Sequence, residues 1–349
     1  MKRVTLALLL GGCAVHGQKV APHAMQRPVH HVPTEDGAHV ALQHYANPGA
    51  PAVVLCHGIS SNHHFWDLEP ERSLAVYLHD AGYDVWNLDL RGHGLALRSP
   101  KGRRLKPDWN VDDYAQYDLP AALAYVDEAT GDAPLHYVGH SLGGMILAAH
   151  LADEPEPALR SAVIVGSPLH FVATSGMTRF ALRNARHLRW MRRLPTGFLA
   201  QGLALAGPAA PLKADELLFN PSNMEPAARR RMLRHVVSPM VHGELMQFGY
   251  STDGGFHSAD GSRTYADELE RVRLPMLFFA GRADHIAPPD SVRAYYDAVG
   301  SEDKTLVIAS RSNGMHGDYG HLDLGLGDDA AVDIFPRIRA FLDAHGSPP

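Results

Sequence analysis

The sequence predicts an α/β protein with a mostly parallel central sheet flanked by helices and one helical insertion. Three observations predict it. Apolar, β-branched runs alternate with helical patterns over the first half of the chain and again near its end. The alternation breaks between Ser167 and about Ser262, where no convincing strand is found. At one place, Tyr137 to Met145 (YVGHSLGGM), a strand-like run passes through a turn of small residues straight into an apolar helix, with a serine at the apex.

Taken in order, HVALQHY (39–45) alternates as a half-buried strand does. PAVVLC (51–56) is a continuous run, as in a parallel strand covered on both faces. A helical pattern covers 70–81, and YDVWNLDL (83–90) is strand-like. Residues 112–129 are helical, LHYVG is a strand, and GGMILAAHLA continues as a helix. SAVIVGS (161–167), MLFFAG (276–281) and KTLVIAS (304–310) are further strands, and DDAAVDIFPRIRAFLDAH is the closing helix. Inside the break, TRFALRNARHLRWMRR (178–193) and PAARRRMLRHVV (226–237) are helical stretches separated by proline and glycine.

The chain has 349 residues, 45% of them hydrophobic and 20% charged, which is ample for a large core. A net charge of −6 gives no basis for nucleic-acid binding. With 23 histidines, no single histidine is informative without its context. At the N-terminus, Lys2 and Arg3 precede a seven-residue run, Val4 to Leu10, apolar but for Thr5, too short to span a bilayer but matching an export signal. Leu10-Gly11-Gly12-Cys13 resembles the lipobox of bacterial lipoproteins, which implies cleavage before Cys13, lipidation of its sulfur, and a membrane-anchored protein facing the periplasm or the cell surface. The only other cysteine is Cys56, so an acylated Cys13 leaves no disulfide. The organisation read from this is a signal peptide at 1–12, a small, polar tether at 13–27, core at 28–167, a helical cap at 168–262 and core again at 263–349.

The apex serine is Ser141, and Gly139 and Gly143 stand two positions to either side. A serine on so sharp a turn has a strained backbone, and neighbouring chain passes where a Cβ at either glycine would collide. The pattern G-x-S-x-G between a strand and a helix is the nucleophile elbow of α/β-hydrolases. A serine nucleophile needs a base, a group that orients the base, and donors for the oxyanion. The acid candidate is Asp284, which follows an apolar strand and a glycine turn in MLFFAGRADHIAPP. Asp303 and Asp260 are the alternatives, and neither directly follows a buried strand. For the base, His316 and His321 in SNGMHGDYGHLDLGLG both qualify, and spacing does not separate them, whereas His345 comes too late. The oxyanion donors are the N–H of Leu142, just after the serine, and the N–H of Ile59 in HGISSN, where Gly58 lets the chain turn back. His57 reads as a residue that packs the loop.

Several phrases together resemble the acid-lipase branch of the α/β-hydrolases, relatives of the gastric and lysosomal acid lipases. They are VPTEDGAHVALQHY, VVLCHGISSNHHFW, SLAVYLHDAGYDVWNLDLRGHG, DDYAQYDLPAALAYVDEATGDAPLHYVGHSLGG and GHLDLGLG. The likeness covers about 32–150 and 270–344 and fades through the cap. It implies the α/β-hydrolase fold, Ser141 as nucleophile, Asp284 as acid, His321 rather than His316 as base, and Ile59 and Leu142 as oxyanion donors. The implied activity is cleavage of carboxylic esters, lipid esters among them, with no metal or organic cofactor. An acyltransferase on the same scaffold and a non-catalytic surface lipoprotein are the alternatives. Leu142 stands where those lipases usually carry glutamine, which a backbone donor tolerates. A weaker likeness to polyester synthases covers the same regions, but their nucleophile is cysteine.

The cap carries 11 Arg and Lys against six Asp and Glu, opposite in sign to the whole chain. Arg179, Arg183, Arg186, Arg189, Arg192 and Arg193, then Arg229, Arg230, Arg231 and Arg234, concentrate this charge, with Leu182, Ala185, Leu188 and Met191 as an apolar stripe between the first group. A basic amphipathic face of this kind suits either an anionic lipid surface or a solvated cap exterior.

Overall fold

The computed structural model describes residues 27–346 apart from 100, 103–104, 132, 172–191, 199, 201, 203–212 and 252–253, with the backbone alone at 213–215 and 250. The expected signal peptide, Cys13, most of the tether, and the cap residues Arg179 to Met191 lie outside the described residues.

Eight strands form one sheet in the order β1-β2-β4-β3-β5-β6-β9-β10. They are β1 (Val29–Pro33), β2 (His39–Tyr45), β3 (Ala52–Cys56), β4 (Asp84–Asp89), β5 (Leu135–His140), β6 (Ser161–Val165), β9 (Met276–Gly281) and β10 (Lys304–Ala309). β2 pairs antiparallel with both β1 and β4, and from β4 to β10 every pairing is parallel. The central strands are apolar on both faces because both faces are covered. Val54 and Cys56 join one core with Met145, Ile146 and Phe278. Val53 and Leu55 point the other way, into a second core with Val138, Val163, Phe279 and Ile338. The covering helices are α1 (Leu74–Asp80), α2 (Leu119–Thr130), α3 (Leu142–Asp153), α6 (Pro289–Ala298) and α7 (Phe335–His345).

The strands read from sequence agree with those observed to within one or two residues, except β1. VHHVP has no apolar alternation, since this edge strand buries little beyond Val32. Two expected helices are interrupted, each at a proline. Pro120 lacks the N–H that would reach the Gln116 carbonyl, and the preceding turn, Tyr114–Asp118, widens to i→i+5 bonding, with the Leu119 N–H on the Tyr114 carbonyl. Pro336 likewise breaks the closing helix into Ala330–Asp333 and α7.

In the described part of the cap lie α4 (Pro226–His235) and α5 (His242–Tyr250). The segment also contains two paired two-residue strands, β7 (Arg193–Leu194) and β8 (Met240–Val241). This corrects the expectation of helix through Arg193 and of no strand in the cap; a two-residue strand is too short to show a period. Part of the basic surface is engaged internally. Arg229 donates to the carbonyls of Met224 and Pro221, and Arg231 pairs with Glu69 and Glu225. Arg192, Arg230 and Arg234 remain exposed.

Candidate active site

Ser141 caps β5 and starts α3 with φ 51° and ψ −113°. A non-glycine residue rarely adopts this backbone, and strain of this kind persists only where the surroundings enforce it. Here the enforcement is visible. A Cβ on Gly143 would lie 2.8 Å from the carbonyl oxygen of Cys56, and one on Gly139 would lie 2.7 Å from the carbonyl carbon of Gly143. Either side chain would push α3 off the sheet and relax the turn.

Asp284 follows β9 in a loop closed by its own carboxylate. Oδ1 accepts the N–H groups of Ile286 and Ala287 at 2.8 and 2.7 Å, leaving Oδ2 directed at His321. The turn-forming and the ring-orienting roles of this aspartate therefore fall to different oxygens. His321, beyond β10, places Nδ1 2.8 Å from Asp284 Oδ2 and Nε2 2.9 Å from Ser141 Oγ. All three side chains are buried, at 5% exposure or less. With Nδ1–H donating to the carboxylate, Nε2 is left to accept from the serine hydroxyl.

The other sequence candidates lie apart from this line. His316 is half exposed and its Nδ1 is 2.9 Å from Asp333, which also accepts its backbone N–H. Asp333 and the neighbouring Asp329 push the His316 ring above the usual imidazole range. Asp303 is paired at the surface with His345, and Asp260 organises a turn with Ser258 and Ser262. His57 donates from Nδ1 to the Gly58 carbonyl and accepts the Leu90 N–H, which is the loop-packing arrangement the sequence suggests.

The loop carrying Ile59 lies directly against the elbow: a Cβ on Gly58 would stand 3.1 Å from the Ser141 Cβ. Ser60, in this loop, has φ 53° and is the second strained non-glycine residue after Ser141 among the described residues. Neither the Ile59 nor the Leu142 N–H has a hydrogen-bond partner among the described residues. Leu142 is the first residue of α3, where free N–H groups and the helix dipole together favour developing negative charge.

Three supports were not legible beforehand. Gly166, at φ 58°, backs the histidine–aspartate pair, and a Cβ there would lie 3.5 Å from His321 Nδ1 and 3.6 Å from Asp284 Oδ2. The glycine immediately after an apolar strand was its only signal. His140 stacks on Phe65 and sets Nε2 3.1 Å from the His321 carbonyl. Burial, reinforced by the neighbouring His321 ring, holds His140 well below the usual imidazole range, so it is neutral and donates from Nε2. Asp323, two residues past His321, accepts the Gly320 and Asn220 N–H groups and the Asn223 amide. Among the described residues no group of three or more His, Cys, Asp or Glu side chains is arranged to hold a metal ion.

Comparison with known proteins follows the same direction. The model of the family described as serine aminopeptidase, S33, matches residues 48–317. Lipase member K of Homo sapiens is 38% identical over 341 residues, spanning 84% of this chain and 80% of that protein. Lipase 3 of Drosophila melanogaster is 31% identical over 333 residues, spanning 84% and 82%. Among solved structures, an esterase from Thermogutta terrifontis superposes with a TM-score of 0.62 at 17% identity, over 92% of this chain and 100% of that one. A monoacylglycerol lipase from Paleococcus ferrophilus gives 0.55 at 20% identity, over 86% and 99%. At these identities the structural likeness bears on the fold.

Proposed function

Because this chain belongs to the α/β-hydrolase family described as serine aminopeptidase, S33, with acid-lipase-like relatives, it is a carboxylic ester hydrolase, and we propose that it works through Ser141, His321 and Asp284 by way of an acyl-enzyme. The observation that carries this reading is the unbroken line Asp284 Oδ2, His321, Ser141 Oγ, with links of 2.8 and 2.9 Å.

In the first half-reaction Ser141 Oγ attacks the ester carbonyl as its proton passes to His321 Nε2. Asp284 keeps the ring in the Nδ1–H tautomer and stabilises the imidazolium. The negative charge on the tetrahedral oxygen falls to the N–H groups of Ile59 and Leu142, each such donor being worth roughly 3 kcal/mol. His321 then protonates the departing alcohol. In the second half-reaction water attacks the acyl-enzyme with His321 again as base, and the acid leaves.

Lipid esters are the proposed substrates, on the strength of relatives named as lipases. A lipidated Cys13 would hold the enzyme at the membrane that contains them, with the exposed Arg192, Arg230 and Arg234 as the basic face towards anionic lipid. A fluorophosphonate probe tests the core of the proposal: covalent labelling should map to Ser141 and vanish in Ser141→Ala. Labelling elsewhere, or full p-nitrophenyl ester hydrolysis by that variant, removes the nucleophile. Added alcohol separates hydrolysis from acyl transfer by product analysis. Incorporation of a labelled fatty acid that survives in Cys13→Ser would remove the anchor.

A further inference from the structure

Among the described residues, the cap meets the candidate catalytic residues' loops on either side of α4, and Thr196 adds a bond to Ser60 in the Ile59 loop. At its N-terminal side, the segment from Leu218 to Asn223 grips the loop of His321 on both flanks. Before the histidine, the Asn220 and Asn223 amides donate to the Asp318 carbonyl at 2.7 and 2.9 Å. After it, the Leu322 N–H donates to the Leu218 carbonyl at 2.9 Å, and the Asn223 amide donates to Asp323 Oδ2 at 2.7 Å. The fit leaves no slack: a Cβ on Gly320 would stand 2.6 Å from the Asn220 nitrogen. Beyond α4, the chain is bound to the oxyanion loop. The Asn62 amide donates to the His235 and Val236 carbonyls at 2.9 and 2.7 Å, and the Ser238 N–H donates to the Ser60 carbonyl at 2.9 Å.

We propose that the cap segment Leu218–Ser238 is a positioning element of the reaction, holding the His321 loop through Asn223 and the Ile59 loop through Asn62, so that the base and the oxyanion donor are set by one helix of the cap. The inference rests on the triad reading. It follows from where the bonds go. The sheet anchors Ser141 and Asp284 directly, at the ends of β5 and β9. His321 lies twelve residues past the end of β10, with one short 3-10 turn, Arg311–Asn313, in between. Glycine at 314, 317 and 320 leaves that loop much conformational freedom to lose; the Tyr319 N–H on the Ala309 carbonyl and the Ala283 N–H on the Tyr319 carbonyl tie it to the sheet ends, and the Asn223 bonds add a hold on each side of His321. A cap built this way does not lift from the site as one body; substrate enters without breaking the 218–238 segment.

The groups around Asp323 are otherwise occupied. Asp318 accepts the Arg311 N–H, Tyr319 donates to Asp333, Asp328 pairs with Arg72, and His321 faces Asp284. Asp323 itself meets only neutral N–H donors, and burial pushes its carboxyl up to about 6.

The test compares wild type with Asn223→Ala and Asn223→Asp in ester hydrolysis, in the rate of fluorophosphonate labelling at Ser141, and in Tm. Asn223→Ala should stay folded at the assay temperature and lose up to about 10²-fold in kcat, with labelling slowed in parallel and KM little changed. Asn223→Asp sets a second carboxyl against Asp323. The pair can share one proton at pH 5.5 but not at pH 8, so its deficit relative to wild type should widen as pH rises. Wild-type kcat and labelling in folded Asn223→Ala, or a deficit in Asn223→Asp that does not change with pH, overturns the inference. Should Asn223→Ala fail to fold, the pH arm of Asn223→Asp decides alone. Absence of labelling at Ser141 in the wild type would instead remove the triad reading.

Discussion

His140 ends β5 and His321 lies beyond β10, yet Nε2 of the first is 3.1 Å from the backbone carbonyl of the second. The residue before the elbow serine thus braces the backbone of the candidate base. His140→Phe keeps a ring against Phe65 and removes the donor. A lost hydrogen bond of about 1 kcal/mol in the positioning of the base corresponds to roughly a fivefold drop in rate. Steady-state kinetics should place that drop in kcat, with KM held.

Ser141 holds its place on the turn at a conformational cost. At φ 51° a residue with a Cβ is strained by about 1–3 kcal/mol, and glycine is not. Ser141→Ala and Ser141→Gly should both lose activity by about 10⁴–10⁶-fold. Only Ser141→Gly should melt higher than wild type, by roughly 1–3 °C after the added freedom of the unfolded glycine is counted. Scanning calorimetry on the two variants checks this, and equal melting temperatures would show that the turn stores no strain.

Asp284 cannot be replaced by its amide. Because Oδ1 receives two backbone N–H groups, an asparagine must leave its oxygen there and turn its NH₂ towards His321 Nδ1. That selects the wrong tautomer, and Asp284→Asn should lower kcat by about 10⁴-fold with the fold intact. His316→Ala, by contrast, removes a ring that faces Asp333 and should leave kcat/KM near wild type.

Glu244 in α5 predicts a pH dependence of stability. Its carboxylate accepts from the Tyr114 hydroxyl and the Val241 N–H and lies 3.6 Å from His93 Nε2. Burial pushes it up to about 7, against the lowering effect of Tyr114, Val241 and the Arg193 charge. A folded-state value above the unfolded one means that the native protein holds the proton more tightly. The contribution is therefore complete below about pH 4.5 and is lost as pH rises towards and through about 7. Glu244→Gln should flatten the fall in Tm between pH 5 and pH 8, measured in parallel with wild type.

Local patterns made much of this legible. The elbow could be found because its constraints are local: Gly139, Ser141 and Gly143 sit within five residues, and the steric need for both glycines appears wherever a strand turns that sharply into a helix. Asp284 was findable because its strand and glycine turn announce the sheet edge. His321 was separated from His316 only by family likeness, because both histidines occupy one glycine-rich loop and spacing treats them alike. What separates them in the structure is their ring partners: the His316 ring bonds Asp333 where it is half exposed, and the buried His321 ring bonds Asp284 and Ser141. The clash of Pro120 and Pro336 with regular helix is itself readable in the sequence.

Taken alone, the order of residues determined the layered α/β architecture, the two-faced burial of its parallel strands and the serine at the turn, since each depends on neighbours a few positions away. Tertiary structure alone decided which imidazole lies against Ser141 and where the cap is fastened. Those outcomes depend on contacts between segments from 95 to 180 residues apart, whose pairing leaves no period in the chain and exists only once the sheet has brought their ends together.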